Sequence, residues 1–296
     1  MNLASAPQVR KLLADHGLRP KKRLGQNFLI DRNVLGRIVA ASGACEGVNV
    51  LEIGPGLGVV TRELADTGAR VVCVEADQAL IPVLEDMLSG SDVEIVNRDF
   101  LKVGLPEFFG ERGGGKWVVV GNLPYYITSP IITTLLGSKW FISSIVLMVQ
   151  KEVARRLQAG PGTDDYGSLS VFVQYHCEIE SVMRVSRNVF YPVPDVDSEV
   201  VKLIVRERPA VQVHDEALFF RIVRAAFGKR RKTLLNALSS SADLGWDKEI
   251  AHHMLAEAGI DESRRGETLS LDEFAALAGS SFAGLRKVPL DSKLAD

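Results

Sequence analysis

The sequence predicts an α/β fold, a doubly wound and mostly parallel sheet, with a smaller all-helical domain after it. Three observations predict this. From Val48 onward short apolar β-type runs alternate with helix-type segments, the mark of parallel strands joined by crossover helices. After about Arg208 the β-type runs stop and amphipathic helical periods follow one another. The length, 296 residues, suits one large domain and a smaller companion, at roughly 150 residues per domain.

Taken in order, VNVLEI is the first strand of the wound region and VVTRELADT its crossover helix; ARVVCVEA, QALIPVLEDML and VEIVNRD give the next strand, helix and strand. Gly113–Gly115 form a flexible loop before the fourth strand, KWVVVGN. SPIITTLLG is helix-like and ISSIVLMV is a fifth strand, so the wound region reaches at least Val149. QKEVARRLQA then reads as a helix, PGTDDYGS as a loop and SEVVKLIVRE as a late strand. Leu169–His176 fits either strand or helix, and helix is preferred. EALFFRIVRAAF, KTLLNALSS, KEIAHHMLAEAG and LDEFAALAG are the later helices, and Pro209 with the polar stretch 212–215 marks their start. The expected division is therefore residues 1–208, with a basic N-terminal extension, and residues 209–296. The last dozen residues are expected to fray.

A composition of 46% hydrophobic and 24% charged residues belongs to a globular chain with a sizeable core and excludes disorder over most of the length. No apolar signal-type run occurs in residues 1–23, and the longest apolar runs, such as Ile145–Val149, fall far short of the roughly 20 residues that span a bilayer. A cytoplasmic protein is expected. Cys45, Cys73 and Cys177 lie far apart with no CxxC pair, which argues against a disulfide framework and a zinc site; His252 and His253 have no HExxH context. No metal is expected. The net charge of −2 rules out a uniformly basic coat, but two basic clusters stand out. One runs through Arg10, Lys11, Arg19, Lys21, Lys22 and Arg23; the other comprises Arg221, Arg224, Lys229, Arg230, Arg231 and Lys232, with no acid between them.

The strongest local motif is Glu52-Ile53-Gly54-Pro55-Gly56-Leu57-Gly58, between a strand and a helix. Gly54 and Gly56 allow close backbone approach to a ligand. Val59 stands where a dinucleotide fingerprint needs its third glycine, and no Gly-Lys-Ser/Thr follows, so neither a nicotinamide site nor a Walker loop fits. Glu75, ending the second strand, is placed to accept hydrogen bonds from ribose hydroxyls, and Asp99, ending the third, from an adenine amino group. The fourth strand ends in Asn122-Leu123-Pro124-Tyr125. An amine conjugated to a purine is a poor nucleophile and needs acceptors rather than a strong base. The Asn122 oxygen and a backbone carbonyl of the motif can supply them, while Tyr125 can stack on the base.

Together the glycine motif, Glu75, Asp99 and Asn-Leu-Pro-Tyr resemble the adenine-N6 RNA methyltransferases of the ribosomal dimethylase family. Lys22-Arg23-Leu24-Gly25-Gln26-Asn27-Phe28-Leu29 is similar to that family's N-terminal signature, and Phe190-Tyr191-Pro192-Val193-Pro194, with Val196 and Ser198, to its late loop. The resemblance implies a class I methyltransferase fold using S-adenosylmethionine, with Asn27 and Leu29 at the methionine end of the cofactor and Phe190 sandwiching a flipped base against Tyr125. It implies a monomer acting on two adjacent adenosines in the 3′-terminal hairpin loop of small-subunit (16S) ribosomal RNA, in the assembling 30S subunit. Lys21, Lys22, Arg23, Arg224, Lys229, Arg230, Arg231 and Lys232 would hold RNA phosphates. Phe227–Asn236, Arg264-Arg265 and Leu269–Leu271 resemble the small-subunit enzymes rather than the erythromycin-resistance enzymes of the large subunit. Those enzymes, and a non-catalytic RNA-binding assembly factor of the same fold, are the alternatives.

Overall fold

The computed structural model describes residues 5–21, 24–124, 127–229 and 231–280. In chain order the elements are α1 (Ala6–Asp15), β1 (Phe28–Leu29), α2 (Arg32–Ser42), β2 (Asn49–Ile53), α3 (Val59–Asp66), β3 (Arg70–Glu75), α4 (Ile81–Met87), β4 (Val93–Asn97), α5 (Leu105–Glu111), β5 (Trp117–Asn122), α6 (Thr128–Gly137), β6 (Ile142–Gln150), α7 (Lys151–Gln158), α8 (Ser168–His176), β7 (Cys177–Val185), β8 (Phe190–Tyr191), β9 (Ser198–Val205), α9 (Glu216–Gly228), α10 (Leu234–Ser239), α11 (Lys248–Glu257) and α12 (Leu271–Gly279). No described helix is long and apolar enough to cross a membrane.

The main sheet has the strand order β4-β3-β2-β5-β6-β9-β7. β2 pairs in parallel with both β3 and β5, β3 with β4 and β5 with β6, while β9 runs antiparallel to β6 and to β7. Winding therefore proceeds outward from β2 on one side and from β5 on the other. The switch between them lies where β2 and β5 touch, Ile53 beside Gly121. The strands there are apolar because both faces are covered, and Val50, Leu51, Val119 and Trp117 are wholly buried. Each predicted strand and helix of the wound region is present, and Leu169–His176 is helical as part of α8.

Three strands escaped the sequence, as did the helices α1, α2 and α5. β7 follows α8 directly, with no turn residues between them, and lies at the sheet edge with Glu178 and Glu180 exposed, so neither punctuation nor an apolar run announces it. The two-residue strands β1 and β8 pair Phe28 with Tyr191 and Leu29 with Phe190, an association far too short to leave a periodic signal.

The chain divides into two compact units, Met1–Arg155 with Cys177–Glu207, and Arg156–His176 with Arg208–Asp296. This corrects the single cut after residue 208. The physical reason is burial: Tyr166, Val171 and Tyr175 share one core with Phe219, Ile222, Leu238, Met254 and Phe274, and the Tyr166 hydroxyl donates to the Leu269 carbonyl at 3.0 Å. Within this unit Gly266 lies against the backbone of α9, where an added Cβ would stand 2.5 Å from the Ala226 carbonyl oxygen. Gly266→Ala is expected to destabilise the protein by about 1–3 kcal/mol, since backbone must shift to admit the methyl. Thermal unfolding would check it, and an unchanged melting temperature would refute it.

Candidate active site

Where strand order reverses, loops leaving the carboxyl ends of neighbouring strands part in opposite directions and leave a crevice. Here the ends of β2, β3 and β5 and the turn after β4 line one cavity, closed on another side by residues 24–29. Of the residues predicted from sequence, Asn27, Leu29, Gly54, Gly56, Glu75, Asp99, Asn122 and Pro124 all line it. Leu123 lies beneath the surface, 1% exposed.

The glycine loop needs its glycines for conformation as well as space. Gly56 has φ +59°, and a Cβ there would press on the Phe28 ring at 3.3 Å. Its N–H donates to Glu75 at 3.2 Å, and the Asp77 N–H donates to the other Glu75 oxygen at 2.7 Å. Burial pushes the Glu75 carboxyl above its ordinary value against the pull of these N–H groups. Asp99 is exposed and caps a 3-10 turn through the Leu101 N–H at 3.1 Å.

Asn122 ends β5 with its side-chain nitrogen donating to the Asn27 main-chain oxygen at 3.1 Å. With the nitrogen committed there, the amide oxygen is the end left to accept from a ligand. The Pro124 carbonyl accepts from the Ile127 N–H at 3.2 Å and the Thr128 hydroxyl at 3.3 Å, which leaves Leu123 as the candidate main-chain acceptor of the motif.

Three groups were missed by sequence reasoning. Glu52 also lines the cavity, 3% exposed, and its Oε2 has no hydrogen-bond partner among the described residues. Burial pushes its carboxyl up to about 7, opposed by the Thr61 hydroxyl and reinforced by the charge of Glu75. An acid inside an otherwise apolar, buried strand was the available signal. Gln26 and Asp77 form the other pair: the Gln26 amide donates to Asp77 at 2.8 Å, and nothing in their local sequence marks a contact between residues so far apart.

Several predicted residues have surroundings that the sequence did not reveal. Phe190 is 2% exposed and packed with Leu29, Val34 and Val185, so its ring offers no open face for a base in this arrangement. Pairing of β8 with β1 turns it inward. The Lys21 ammonium is held by Asp77 at 2.7 Å rather than presented to phosphate. Arg224 binds Asp243 at 3.2 Å, an acid that the fold brings to a run having none in sequence. Lys229, Arg231 and Lys232 are all exposed on the helical unit. Tyr125, Lys22, Arg23 and Arg230 lie outside the described residues. Among those described, no group of three or more His, Cys, Asp or Glu side chains could hold a metal ion.

Comparison with known proteins agrees with this geometry. Residues 17–277 match the family model of the ribosomal RNA adenine dimethylases. The chain is 48% identical to the ribosomal RNA small subunit methyltransferase A of Bacillus cytotoxicus, over 94% of this chain and 97% of that one. Its identity to the Pelotomaculum thermopropionicum protein of the same name is 49%, with the same coverage. Among solved structures it is similar to a dimethyladenosine transferase from Plasmodium falciparum, with a TM-score of 0.71, 27% identity and coverage of 84% of this chain and 95% of that one. It is also similar to the 23S rRNA methyltransferase ErmE, with a TM-score of 0.64, 30% identity and coverage of 85% and 98%. With a wound sheet, a glycine loop, strand-end acids and a pinned asparagine all on one cavity, and with the family model spanning most of its length, the chain belongs to the ribosomal RNA adenine dimethylase family.

Proposed function

We propose that the cavity binds S-adenosylmethionine and that the enzyme methylates N6 of adenosine in small-subunit ribosomal RNA, each of two adjacent adenosines in the 3′-terminal hairpin loop being dimethylated. The observation that carries this reading is the Asn122 side chain, held by the Asn27 carbonyl at the rim of an acid-lined cavity. Full-length identity near one half to two small-subunit enzymes favours that RNA over the large-subunit target in the name of ErmE.

The residues present suit this cofactor. Two buried carboxylates, one with an oxygen left unpartnered among the described residues, favour a ligand that carries positive charge and hydroxyl donors over a pyrophosphate. Asn27, Leu29, Gly54, Gly56, Glu75, Asp99 and Asn122 would hold it, Glu75 at the ribose and Asp99 at the adenine. When bound, it supplies an electrophilic methyl group on a sulfonium.

The protein's part is to make a weak nucleophile adequate. The Asn122 oxygen and the Leu123 carbonyl accept hydrogen bonds from the two N6–H groups in the first transfer, and one of them from the remaining N6–H in the second; each time this turns the lone pair out of the purine plane and stabilises charge until the methylated nitrogen releases its proton to water. Pro124 holds Leu123 extended so that its carbonyl is not drawn into α6. Tyr125 stacks on the base, worth about 0.5–2 kcal/mol as positive charge grows on the ring. The target must be unpaired or flipped, since a stacked base cannot enter a strand-end cavity. Lys229, Arg231 and Lys232 hold phosphates without reading sequence. The substrate is the RNA of an assembling 30S subunit, bound by a monomer.

Asn122→Ala is expected to weaken cofactor binding only modestly, through the lost bond to Asn27, while methyl transfer to unmodified small subunits at saturating cofactor falls by about 10²-fold or more. Radiolabelled transfer with the modified nucleotides mapped checks both the residue and the RNA; label on large-subunit RNA alone would refute the target. Because the folded-state pKa of Glu52 is raised, its stabilising contribution is complete below its ordinary 4.5 and lost as pH rises through about 7. Glu52→Gln should therefore stabilise the ligand-free protein at pH 8 by roughly 2–3 kcal/mol, with the gain closing as the pH approaches 4.5. Denaturant unfolding at the two pH values reads this, and equal gains at both would contradict it. Neutralising Lys229, Arg231 and Lys232 together should weaken RNA binding and flatten the plot of log affinity against log salt, with cofactor affinity intact. The slope should drop by about 0.7–0.9 for every phosphate no longer neutralised. Parallel salt plots for variant and parent would overturn that role.

A further inference from the structure

The cavity wall formed by residues 24–29 has little regular structure of its own. Phe28 and Leu29 pair with β8, and the segment before them is irregular. Phe28 and Leu29 are also buried in apolar clusters, while the residues before them are held by side-chain bonds. Midway, the Asn27 carbonyl takes the Asn122 amide. At the start, Asp77 receives two donors on separate oxygens, the Lys21 ammonium at 2.7 Å and the Gln26 amide at 2.8 Å, while the Gln26 oxygen accepts the Lys21 N–H at 2.8 Å. Asp77 is 7% exposed, and although burial alone would raise its pKa, Lys21, Gln26 and the Ala79 N–H together hold it below the usual value. Its own N–H donates to Glu75 at 2.7 Å.

One residue is thus joined to both sides of the cavity: its main chain to Glu75, its side chain to the segment that carries Asn27 and Leu29. We infer that Asp77 is a positioning residue of the cofactor site, and that Lys21 and Gln26 are its partners, fixing the wall before the cofactor arrives. The inference rests on reading this cavity as the S-adenosylmethionine site. An irregular wall left untied must be ordered at the moment of binding, so losing the tie weakens affinity. Bound cofactor re-orders the wall and with it the Asn27 carbonyl that holds Asn122, so turnover at saturating cofactor is preserved.

The test measures S-adenosylmethionine affinity by calorimetry, and kcat and KM for methyl transfer to unmodified small subunits, on the full-length chain. Asp77→Ala should raise Kd and the cofactor KM by about tenfold or more, the scale of a hydrogen bond to a charged group, with kcat within about threefold of the parent. Asp77→Asn, which keeps an acceptor for one of the two donors, should fall between. Gln26→Leu should raise Kd as well, and the double variant Asp77→Ala/Gln26→Leu should be no weaker than Asp77→Ala alone, because both remove the same tie. Should Asp77→Ala fail to fold, Gln26→Leu and Lys21→Met, at half-buried positions, carry the test. Parental Kd in these variants, or a fall in kcat at unchanged Kd, overturns the inference alone. A folded parent that binds no S-adenosylmethionine overturns the reading of the cavity and the inference with it.

Discussion

Everything in the large unit follows from the contact between β2 and β5. Two parallel strands paired at Ile53 and Gly121 send their chains away from each other at their carboxyl ends, so a crevice opens where they part. The gap that results is bounded by main-chain groups and by whichever side chains end the strands. Its location is set by hydrogen-bond register and not by any single residue, which is why groups as far apart in sequence as Asn27 and Asn122 can be brought within 3.1 Å of each other.

The charge inside that gap is unusual for a glycine-loop site. Loops of this type that cradle phosphates leave N–H groups pointing into the ligand space. Here the Gly56 N–H is turned onto Glu75, and Glu52 adds a second acid behind it. The main chain thus supports a carboxylate instead of recruiting an anion. Such a loop has no free Gly56 N–H to offer a pyrophosphate, and it lacks the third glycine at Val59.

Sequence revealed the wound sheet because buried parallel strands must be apolar on both faces, and it revealed the strand-end residues because a polar side chain closing such a run is conspicuous. Glu75, Asp99 and Asn122 were legible in this way and Gly54 through its glycine motif, and all four line one cavity. What could not be read depended on distance along the chain. Phe190 looks like an open aromatic in a turn-rich loop, and only its pairing with β1 shows it buried. Lys21 looks like part of a basic patch until Asp77 arrives beside it, and the run from Arg221 to Lys232 looks free of acids until Asp243 folds back. β7 carries neither turn residues nor an apolar face, so its existence is decided by its partner β9 alone. Glu52 stands in plain view within its strand, yet a buried acid acquires meaning only from what it faces.

The helical unit draws on two stretches of chain separated by β7, β8 and β9. Its rings Tyr166, Phe172 and Tyr175 come from the earlier stretch, and Phe219, Phe220 and Phe274 from the later one. Covalent order and compactness therefore disagree, and a gene truncated after residue 208 would not encode a clean catalytic half. It would leave α8 attached with the partners of Val171 and Tyr175 removed, an apolar face open to water. Independent inheritance or exchange of the two halves is closed to this architecture unless α8 travels with the helices it packs against.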